Sequence, residues 1–144
     1  MNLRPRFFKQ KEFKCKCGKC SPTISKKIEP KKERENYVEI NQPDTYWVEP
    51  ELLQRLDMIR RCIGVPMQVS SGYRCEAYNK RVGGAKNSYH KRGMAADIPY
   101  PAKYLQRKKD FAKILDEAFS EGGVGVYPTF VHVDIRKRRA RWVG

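Results

Sequence analysis

Apolar residues recur at helical spacing between residues 50 and 63, and this pattern predicts an amphipathic helix. The apolar stripe comprises Leu52, Leu53, Leu56, Ile59 and Ile63. Pro50 suits the first turn of a helix, and Gly64 suits its end because glycine readily adopts left-handed backbone. The stripe therefore predicts packing into a core and not a functional site.

Two further helices are predicted downstream. The segment CEAYNKRVGG, residues 75–84, predicts a short helix that ends at paired glycines. The segment from about Lys103 to Ser120 predicts a longer helix, which Gly122 and Gly123 end. Its predicted buried face comprises Leu105, Phe111, Ile114, Leu115, Ala118 and Phe119.

Short apolar runs bounded by glycine or proline predict strands. MQVSSGYR, residues 67–74, predicts a strand that runs into a turn, and MAADIPY, residues 94–100, predicts another. VGVYPTFVHVDIR, residues 124–136, and ARWVG, residues 140–144, predict two final strands, with a turn or bulge at Pro128. Helices and strands follow one another without a regular βαβ alternation. This order predicts an α+β fold with an antiparallel sheet packed against helices.

The first 44 residues differ from the rest in composition. They are polar, rich in lysine and interrupted by prolines, so residues 1–44 are predicted to form a basic, partly ordered N-terminal arm. One short ordered piece is predicted at FKQKEFKC, residues 8–15. Residues 45–144 are predicted to form one folded domain, as suits a chain of 144 residues.

The chain is strongly basic, with 31 lysine and arginine residues, 16 aspartate and glutamate residues and a net charge of +15. Such an excess favours an anionic partner, whether nucleic acid, a phospholipid surface or an acidic cell wall. No apolar run reaches the length of about 18 residues that a membrane span needs. The first residues, MNLRPRFF, show no apolar core or cleavage site, so we expect synthesis in the cytoplasm without a signal peptide.

The five cysteines leave their role and redox state open. Cys15, Cys17 and Cys20 cluster in CKCGKC, and Cys17 and Cys20 have the spacing of half a zinc knuckle. A closed site needs four ligands, so Cys62 or Cys75 would have to complete it. Reduced thiols are the alternative, and a disulfide between Cys62 and Cys75 would suit an oxidising compartment.

The two histidines of the chain both lie near an aspartate. His90 precedes Asp97 by seven residues, and His132 precedes Asp134 by two. A catalytic zinc ion typically has three protein ligands and a fourth position for water. His90, Asp97 and His132 are therefore candidate ligands of a divalent metal ion, which would lower the pKa of bound water to about 7. On spacing alone, structural histidines without a metal are the alternative.

Three roles are open for Asp134. Residues two apart in a strand point to the same face, so Asp134 should lie beside His132. Asp134 is a candidate general base, a candidate carboxylate that orients a metal-ligating histidine, or a candidate ligand in its own right.

Several motifs occur in an order that is typical of one family. They are SGYRCEAYN, VGG, SYHKRGMAADI, GVGVYPTFVHVDIR and the final RW. In this order they resemble the zinc D-Ala-D-Ala carboxypeptidase family of peptidoglycan peptidases, and most of all its small bacterial and phage members. The resemblance runs from Glu12 to Trp142 and is strongest from Val69 to Asp134. It implies an α+β fold like that of the hedgehog signalling domain, which shares this zinc-site architecture.

The resemblance also implies roles for individual residues. The residues that match the zinc ligands of the family are His90, Asp97 and His132. Arg74 matches the arginine that is directed at the substrate carbonyl and the developing oxyanion. Ser88 and Tyr127 are predicted to bind substrate, together with Arg74.

One position departs from the family pattern. Thr129 stands three residues before the last histidine, where many family members carry the catalytic acid. An aspartate two residues after that histidine is the pattern of a subgroup, so Asp134 is predicted to be catalytic. If Asp134 cannot reach the water, the chain would bind zinc without hydrolysis.

The predicted function is a zinc-dependent peptidase that hydrolyses peptide stems of bacterial peptidoglycan as a carboxypeptidase or endopeptidase, in the manner of a phage or prophage lysis enzyme. The alternatives are a non-catalytic zinc-binding module that recognises wall peptide or a protein, and a basic nucleic-acid-binding protein supported only by the charge of +15. We expect a monomer that acts at the anionic cell wall. The bond that is cleaved and the phage or bacterial origin stay open.

Overall fold

A four-stranded sheet lies at the centre of the computed structural model, which describes residues 7–22, 24–25 and 45–144. The helices are α1 (Pro50–Ile63), α2 (Glu76–Arg81) and α3 (Lys108–Ala118). The strands are β1 (Ile24–Ser25), β2 (Thr45–Tyr46), β3 (Ala95–Pro99), β4 (Gly123–Val126), β5 (Phe130–Asp134) and β6 (Ala140–Val143). The described residues also contain three short 3-10 turns: Gln10–Phe13, Tyr89–Arg92 and Ala102–Tyr104. The predicted α+β class is confirmed.

Helix α1 forms as its sequence pattern predicts. Pro50 occupies the first turn, and Gly64 ends the helix with a left-handed φ of 69°. All five residues of the predicted stripe are buried, Leu56 completely. The apolar face of α1 therefore belongs to the core.

The predicted helix from Lys103 to Ser120 is shorter than expected. A 3-10 turn comes first, and α3 begins only at Lys108 because Arg107 has non-helical backbone angles. Tyr104 is buried against Phe111, with ring centroids 5.3 Å apart, whereas Leu105 is 52% exposed. The prediction that Leu105 belongs to the buried face is wrong, because the break before α3 turns Leu105 towards solvent.

The sheet has the strand order β3-β5-β4-β6. β5 is antiparallel to both β3 and β4, but β6 runs parallel to β4. The sheet is therefore mixed and not wholly antiparallel, because the chain crosses from β5 at the centre to the far edge before β6 begins. The segment predicted as one strand around Pro128 is a hairpin made of β4 and β5.

The predicted strand at residues 67–74 does not form. Its only ladder contact in the described chain is an isolated bridge between Ser71 and Asp97. The segment instead contacts β3 at Asp97, whose amide donates to the Ser71 carbonyl at 2.8 Å and whose carbonyl accepts from the Ser70 amide at 2.9 Å.

The two faces of the sheet have different roles. Side chains alternate across a strand, so Val131 and Val133 point to one face and His132 points to the other. Both valines are fully buried in the core with the apolar faces of α1 and α3. On the opposite face the register aligns one row across the four strands, consisting of Asp97, His132, Gly125 and Trp142.

The described part of the N-terminal segment packs into the same core. Phe8 is 1% exposed and Phe13 is completely buried, and the predicted ordered piece is the 3-10 turn that ends at Phe13. Asp57 Oδ1 accepts hydrogen bonds from the Phe7 and Phe8 amides at 3.0 and 2.9 Å. The division at residue 44 stays a prediction, and residues 1–6, 23 and 26–44 lie outside the described residues. Within the described ranges, no helix is both long and apolar enough to cross a bilayer.

Candidate metal centre

Three predicted ligands meet at the polar face of the sheet. His90 Nε2 lies 3.1 Å from Asp97 Oδ1 and 3.2 Å from His132 Nδ1, and His132 Nδ1 lies 2.9 Å from Asp97 Oδ1. The β3–β5 register places Asp97 opposite His132, and the 3-10 turn between Ser88 and Gly93 brings His90 over them. All three side chains are buried.

Outer hydrogen bonds determine which nitrogen of each neutral ring carries the proton. His90 Nδ1 lies 2.7 Å from the carbonyl of Gly72, which can only accept, so Nδ1 is the donor. His132 Nε2 lies 2.9 Å from the Asp134 carboxylate and is a donor for the same reason. The inner nitrogens of both rings therefore present lone pairs towards Asp97 Oδ1.

The donor set fits a divalent metal ion. Three acceptor atoms, two imidazole nitrogens and one carboxylate oxygen, lie close together with no proton between them when the rings are neutral. Nitrogen and oxygen ligands at about 2.0–2.1 Å from a tetrahedral zinc ion are separated by about 3.3 Å. The observed separations, 2.9 to 3.2 Å, need only a small expansion. His90, Asp97 and His132 can thus hold a metal and leave a coordination position open.

Asp134 lies behind His132 and is completely buried. Arg136 donates from Nε to Asp134 Oδ1 at 2.8 Å and from Nη2 to Oδ2 at 2.7 Å. The Gly123 amide donates to Oδ1 at 3.0 Å. Both oxygens of Asp134 are therefore engaged, and the carboxylate contacts the nitrogen of His132 that faces away from Asp97.

The pKa shifts indicate that the cluster stabilises positive charge. Burial raises the pKa of Asp97, but in the metal-free protein hydrogen bonds from the doubly protonated rings of His132 and His90 outweigh burial and hold the pKa well below its usual range. For Asp134, burial again raises the pKa, and the hydrogen bonds from Arg136 and His132 bring it well below the usual value. Burial lowers the pKa of His132, yet hydrogen bonds with the two carboxylates raise it overall.

Two glycines of β4 leave space for the side chains of neighbouring strands on the polar face of the sheet. A Cβ atom at Gly123 would collide with the carboxylate of Asp134, and one at Gly125 would collide with the indole of Trp142. The GVGV sequence of β4 thus places valines on the core face and leaves the polar face free for the side chains of its neighbours.

Arg74 lies beside the cluster and is firmly held. Its Nη2 donates to Asp97 Oδ2 at 3.2 Å, and its Nε donates to Ser71 Oγ at 3.0 Å. Nη1 is 3.4 Å from Asn79 Oδ1. Since a guanidinium has five N–H donors, this arrangement leaves two for another oxygen.

The two other predicted substrate-binding residues have different surroundings. Ser88 Oγ accepts from the His90 amide at 3.2 Å and so begins the turn that carries His90. The Tyr127 ring stacks on Phe130 at 4.5 Å, and its hydroxyl accepts from Trp142 Nε1 at 3.0 Å. Ser88 therefore lies next to a predicted ligand, whereas Tyr127 is connected to the cluster through Trp142.

A cavity of about 800 Å³ lies between α3 and the edge formed by β4 and β6. Tyr127 and Trp142 are among its lining residues, and the three predicted ligands are not among the described ones that line it. The Trp142 and His132 rings are 5.2 Å apart. The cavity is therefore a neighbour of the candidate centre and does not contain it.

Sequence reasoning missed Arg136, Trp142 and the Gly72 carbonyl. Arg136 lies in the basic run RKRRAR, residues 136–141, which is typical of a solvated surface, but it packs 4.4 Å from the ring of Tyr89 and 5.1 Å from that of Trp142. The sequence offers one signal for Arg136. Asp134 and Arg136 follow His132 at steps of two residues, and residues two apart in an extended chain point to the same face. No pattern in the sequence indicates the Gly72 carbonyl, since backbone contacts between distant segments carry no residue signature.

A comparison with protein families gives one match over most of the chain. The family model described as Peptidase M15 matches residues 6–134, which include every predicted site residue.

Individual relatives agree with the family match. The protein of Haemophilus influenzae named "Probable peptidoglycan L,D-endopeptidase MepK" is 36% identical over 107 residues, covering 67% of this chain and 55% of the relative. The Escherichia coli K12 protein named "Peptidoglycan L,D-endopeptidase MepK" is 33% identical over 96 residues, covering 60% of this chain and 50% of the relative. The chain thus spans about half the length of the curated relatives it matches.

Proposed function

The chain belongs to the Peptidase M15 family, and from this premise we propose that it is a zinc-dependent peptidase that hydrolyses peptide stems of bacterial peptidoglycan. The observation that carries the proposal is the convergence of His90 Nε2, Asp97 Oδ1 and His132 Nδ1 as three acceptors. Such a set suits zinc, which binds imidazole nitrogen and carboxylate oxygen and keeps a position open in catalytic sites.

An endopeptidase is the better proposal than a D-Ala-D-Ala carboxypeptidase. The two relatives described above carry the name peptidoglycan L,D-endopeptidase. The expected substrate bond therefore joins an L-configured and a D-configured centre within the peptide part of peptidoglycan.

The residues of the candidate site have separate proposed roles in binding zinc and in binding substrate. His90, Asp97 and His132 would hold the zinc ion, which when bound polarises a carbonyl and lowers the pKa of water. Arg74 keeps two N–H donors free beside Asp97 and would bind the substrate carbonyl oxygen, which gains charge during hydrolysis. Ser88 would donate its hydroxyl proton to the substrate peptide, since its oxygen accepts from the His90 amide.

We assign Asp134 the orienting role among the three that its position allows. Its Oδ2 accepts from His132 Nε2 and Arg136 Nη2, and its Oδ1 accepts from Arg136 Nε. A carboxylate that is buried and bound in this way determines the tautomer of a metal-ligating histidine. Direct action as a base would require Arg136 to release it.

A non-catalytic zinc-binding module is the second candidate, and one observation favours it. Thr129 stands where many family members carry an acid, and both Asp134 oxygens are occupied. Such a module would bind zinc and wall peptide but release no product.

The net positive charge of the chain supports the anionic cell wall as its partner and its site of action. A net charge of +15 attracts the chain to an anionic cell wall, where salt should weaken the attraction. We propose that the chain acts there as a monomer.

The test is hydrolysis of purified peptidoglycan followed by mass spectrometry of the released fragments. Protein loaded with zinc should release peptide fragments cut at an L,D bond, a chelator should abolish release, and added zinc should restore it. Release of single D-alanine from pentapeptide stems would identify a carboxypeptidase instead.

Single-residue variants test whether hydrolysis depends on zinc bound at the candidate site. His90→Ala should lose zinc at this site and all hydrolysis, whereas Met58→Ala, on the exposed side of α1, should retain both. Wild-type protein that binds zinc and wall peptide without releasing any product would support the non-catalytic module. Hydrolysis that survives complete removal of metal would refute the proposal.

A further inference from the structure

We propose that Cys15, Cys17, Cys20 and Cys75 form a second metal site, a closed structural zinc centre that is independent of the proposed peptidase activity. The four Sγ atoms all lie within 4.8 Å of one another. Four thiolates at about 2.3 Å from a tetrahedral zinc ion are separated by about 3.8 Å, so small side-chain rotations would complete the site. The fourth ligand, which the sequence left open, is thereby assigned to Cys75, whereas Cys62 is exposed and outside the cluster.

Backbone amides already donate to three of the four sulfur atoms, those of Cys15, Cys17 and Cys75. The amides of Lys19 and Cys20 donate to Cys17 Sγ at 3.3 and 3.4 Å. The Cys75 amide donates to Cys15 Sγ at 3.3 Å. Such donors stabilise thiolate charge and orient the sulfur, as outer hydrogen bonds do at metal sites.

The backbone of the CKCGKC segment also has the shape that such a site needs. Gly18 has a φ of 74°, so the chain turns back between Cys17 and Cys20 in a conformation that glycine adopts without strain. At the other end of the cluster, the Tyr78 amide donates to Cys75 Sγ at 3.5 Å, which places Cys75 at the start of α2. Two short segments far apart in sequence thus present two parts of one ligand set.

The ligand chemistry suits zinc and excludes the metals that prefer oxygen ligands. Four soft sulfur ligands in a tetrahedral arrangement suit zinc or iron and not magnesium or calcium, which prefer oxygen. Zinc with four thiolates carries net negative charge, and the lysines that alternate with the cysteines, Lys14, Lys16 and Lys19, would offset it. All five cysteines are unpaired thiols and therefore available as ligands.

The centre would tie the N-terminal segment to the loop that supports the candidate catalytic site. The Tyr73 amide donates to the Phe13 carbonyl at 2.9 Å, and Gly72 packs so closely on Phe13 that a Cβ atom would collide. The carbonyl of Gly72 in turn holds His90 Nδ1. Zinc bound at Cys75 would lock this loop beside the segment that starts at Phe8.

The test counts metals and identifies their ligands in the whole chain. Protein purified from zinc-supplemented cells without chelator should contain two zinc ions per chain by elemental mass spectrometry. Replacement of zinc by cobalt should produce a strong thiolate-to-cobalt charge-transfer absorption, which histidine and aspartate ligands cannot give. His132→Ala should keep one zinc ion per chain together with this absorption, whether or not the peptidase proposal holds.

Cysteine variants compare the proposed ligands with Cys62, which lies outside the cluster. The double variant Cys17→Ser with Cys20→Ser should lose one zinc ion and the charge-transfer absorption, whereas Cys62→Ser should keep both. The wild-type and His132→Ala measurements decide the question even if the double variant does not fold. One zinc ion per chain without thiolate absorption, iron in place of zinc, or a disulfide among the four cysteines would overturn the proposal.

Discussion

Replacement of Asp134 by asparagine tests whether this residue acts through His132. Five donors converge on the two carboxylate oxygens, three on Oδ1 and two on Oδ2. Asparagine has one acceptor oxygen and one NH₂ donor. The oxygen should occupy the Oδ1 position, where three donors point, so the NH₂ group would face His132 Nε2.

The consequence for His132 follows from the ring chemistry. A donor opposite Nε2 requires Nε2 to accept, so the proton moves to Nδ1, the nitrogen that should bind the metal. Loss of the outer partner of a metal-ligating histidine typically lowers metal affinity by about 10–100-fold. This corresponds to about 1.4–2.8 kcal/mol of binding free energy.

The assay measures zinc affinity and turnover separately. Zinc dissociation constants of wild type and Asp134→Asn are obtained by competition with a chelating dye, and kcat is measured at saturating zinc. If Asp134 orients His132, affinity falls within the stated range and saturating zinc restores most of kcat. The control is Glu51→Gln, which removes an exposed carboxylate paired with Arg55 and should change neither quantity.

Two results would contradict this reasoning. Unchanged zinc affinity with kcat lower by about 10²–10⁴ at saturating zinc would identify Asp134 as the general base. Unchanged affinity and unchanged kcat would show that the tautomer of His132 does not depend on Asp134.

Three further predictions concern packing and charge. Gly125→Ala places a Cβ atom against the indole of Trp142 and should lower the free energy of unfolding by about 1–3 kcal/mol in urea titrations; an unchanged midpoint would show that Trp142 can move aside. Leu56→Ala, at a completely buried position, should cost about 2–5 kcal/mol in the same assay, whereas Met58→Ala, 52% exposed, should stay within about 0.5 kcal/mol. Binding to purified sacculi in a pelleting assay should weaken as salt shortens the screening length from about 10 Å at 0.1 M to about 3 Å at 1 M; salt-independent binding would remove the electrostatic argument.

The sequence predicted the local elements well where one physical signal dominated. Helix α1 combines helical apolar spacing with a proline at its start and a glycine at its end, and each signal acts within a few residues. The break before α3 was missed because the spacing continues through Leu105, while the burial of Tyr104 against Phe111 decides the backbone path. The parallel pairing of β6 was missed because alternation identifies a strand but not its neighbour.

The candidate site was predicted in its ligand types but not in its surroundings. His90, Asp97 and His132 were selected by residue type and spacing, and the fold brings their ligand atoms together. The groups that hold these ligands in place are less visible: Arg136 is marked only by its two-residue step from Asp134, and the Gly72 carbonyl has no sequence signature. A basic terminal run and a turn glycine look the same in sequence whether or not they touch a ligand.

The sequence by itself determined which residues are candidates for chemistry here and where helix α1 begins and ends, because residue type, periodicity and glycine conformation act over a few neighbouring positions. The tertiary structure alone decided that Asp97 pairs with His132 across the β3–β5 ladder, that Asp134 is bound by Arg136, and that Cys75 and not Cys62 joins the other thiols. These outcomes depend on strand register and on contacts between segments tens of residues apart. Such contacts form only when the whole apolar surface of the sheet and helices is buried together.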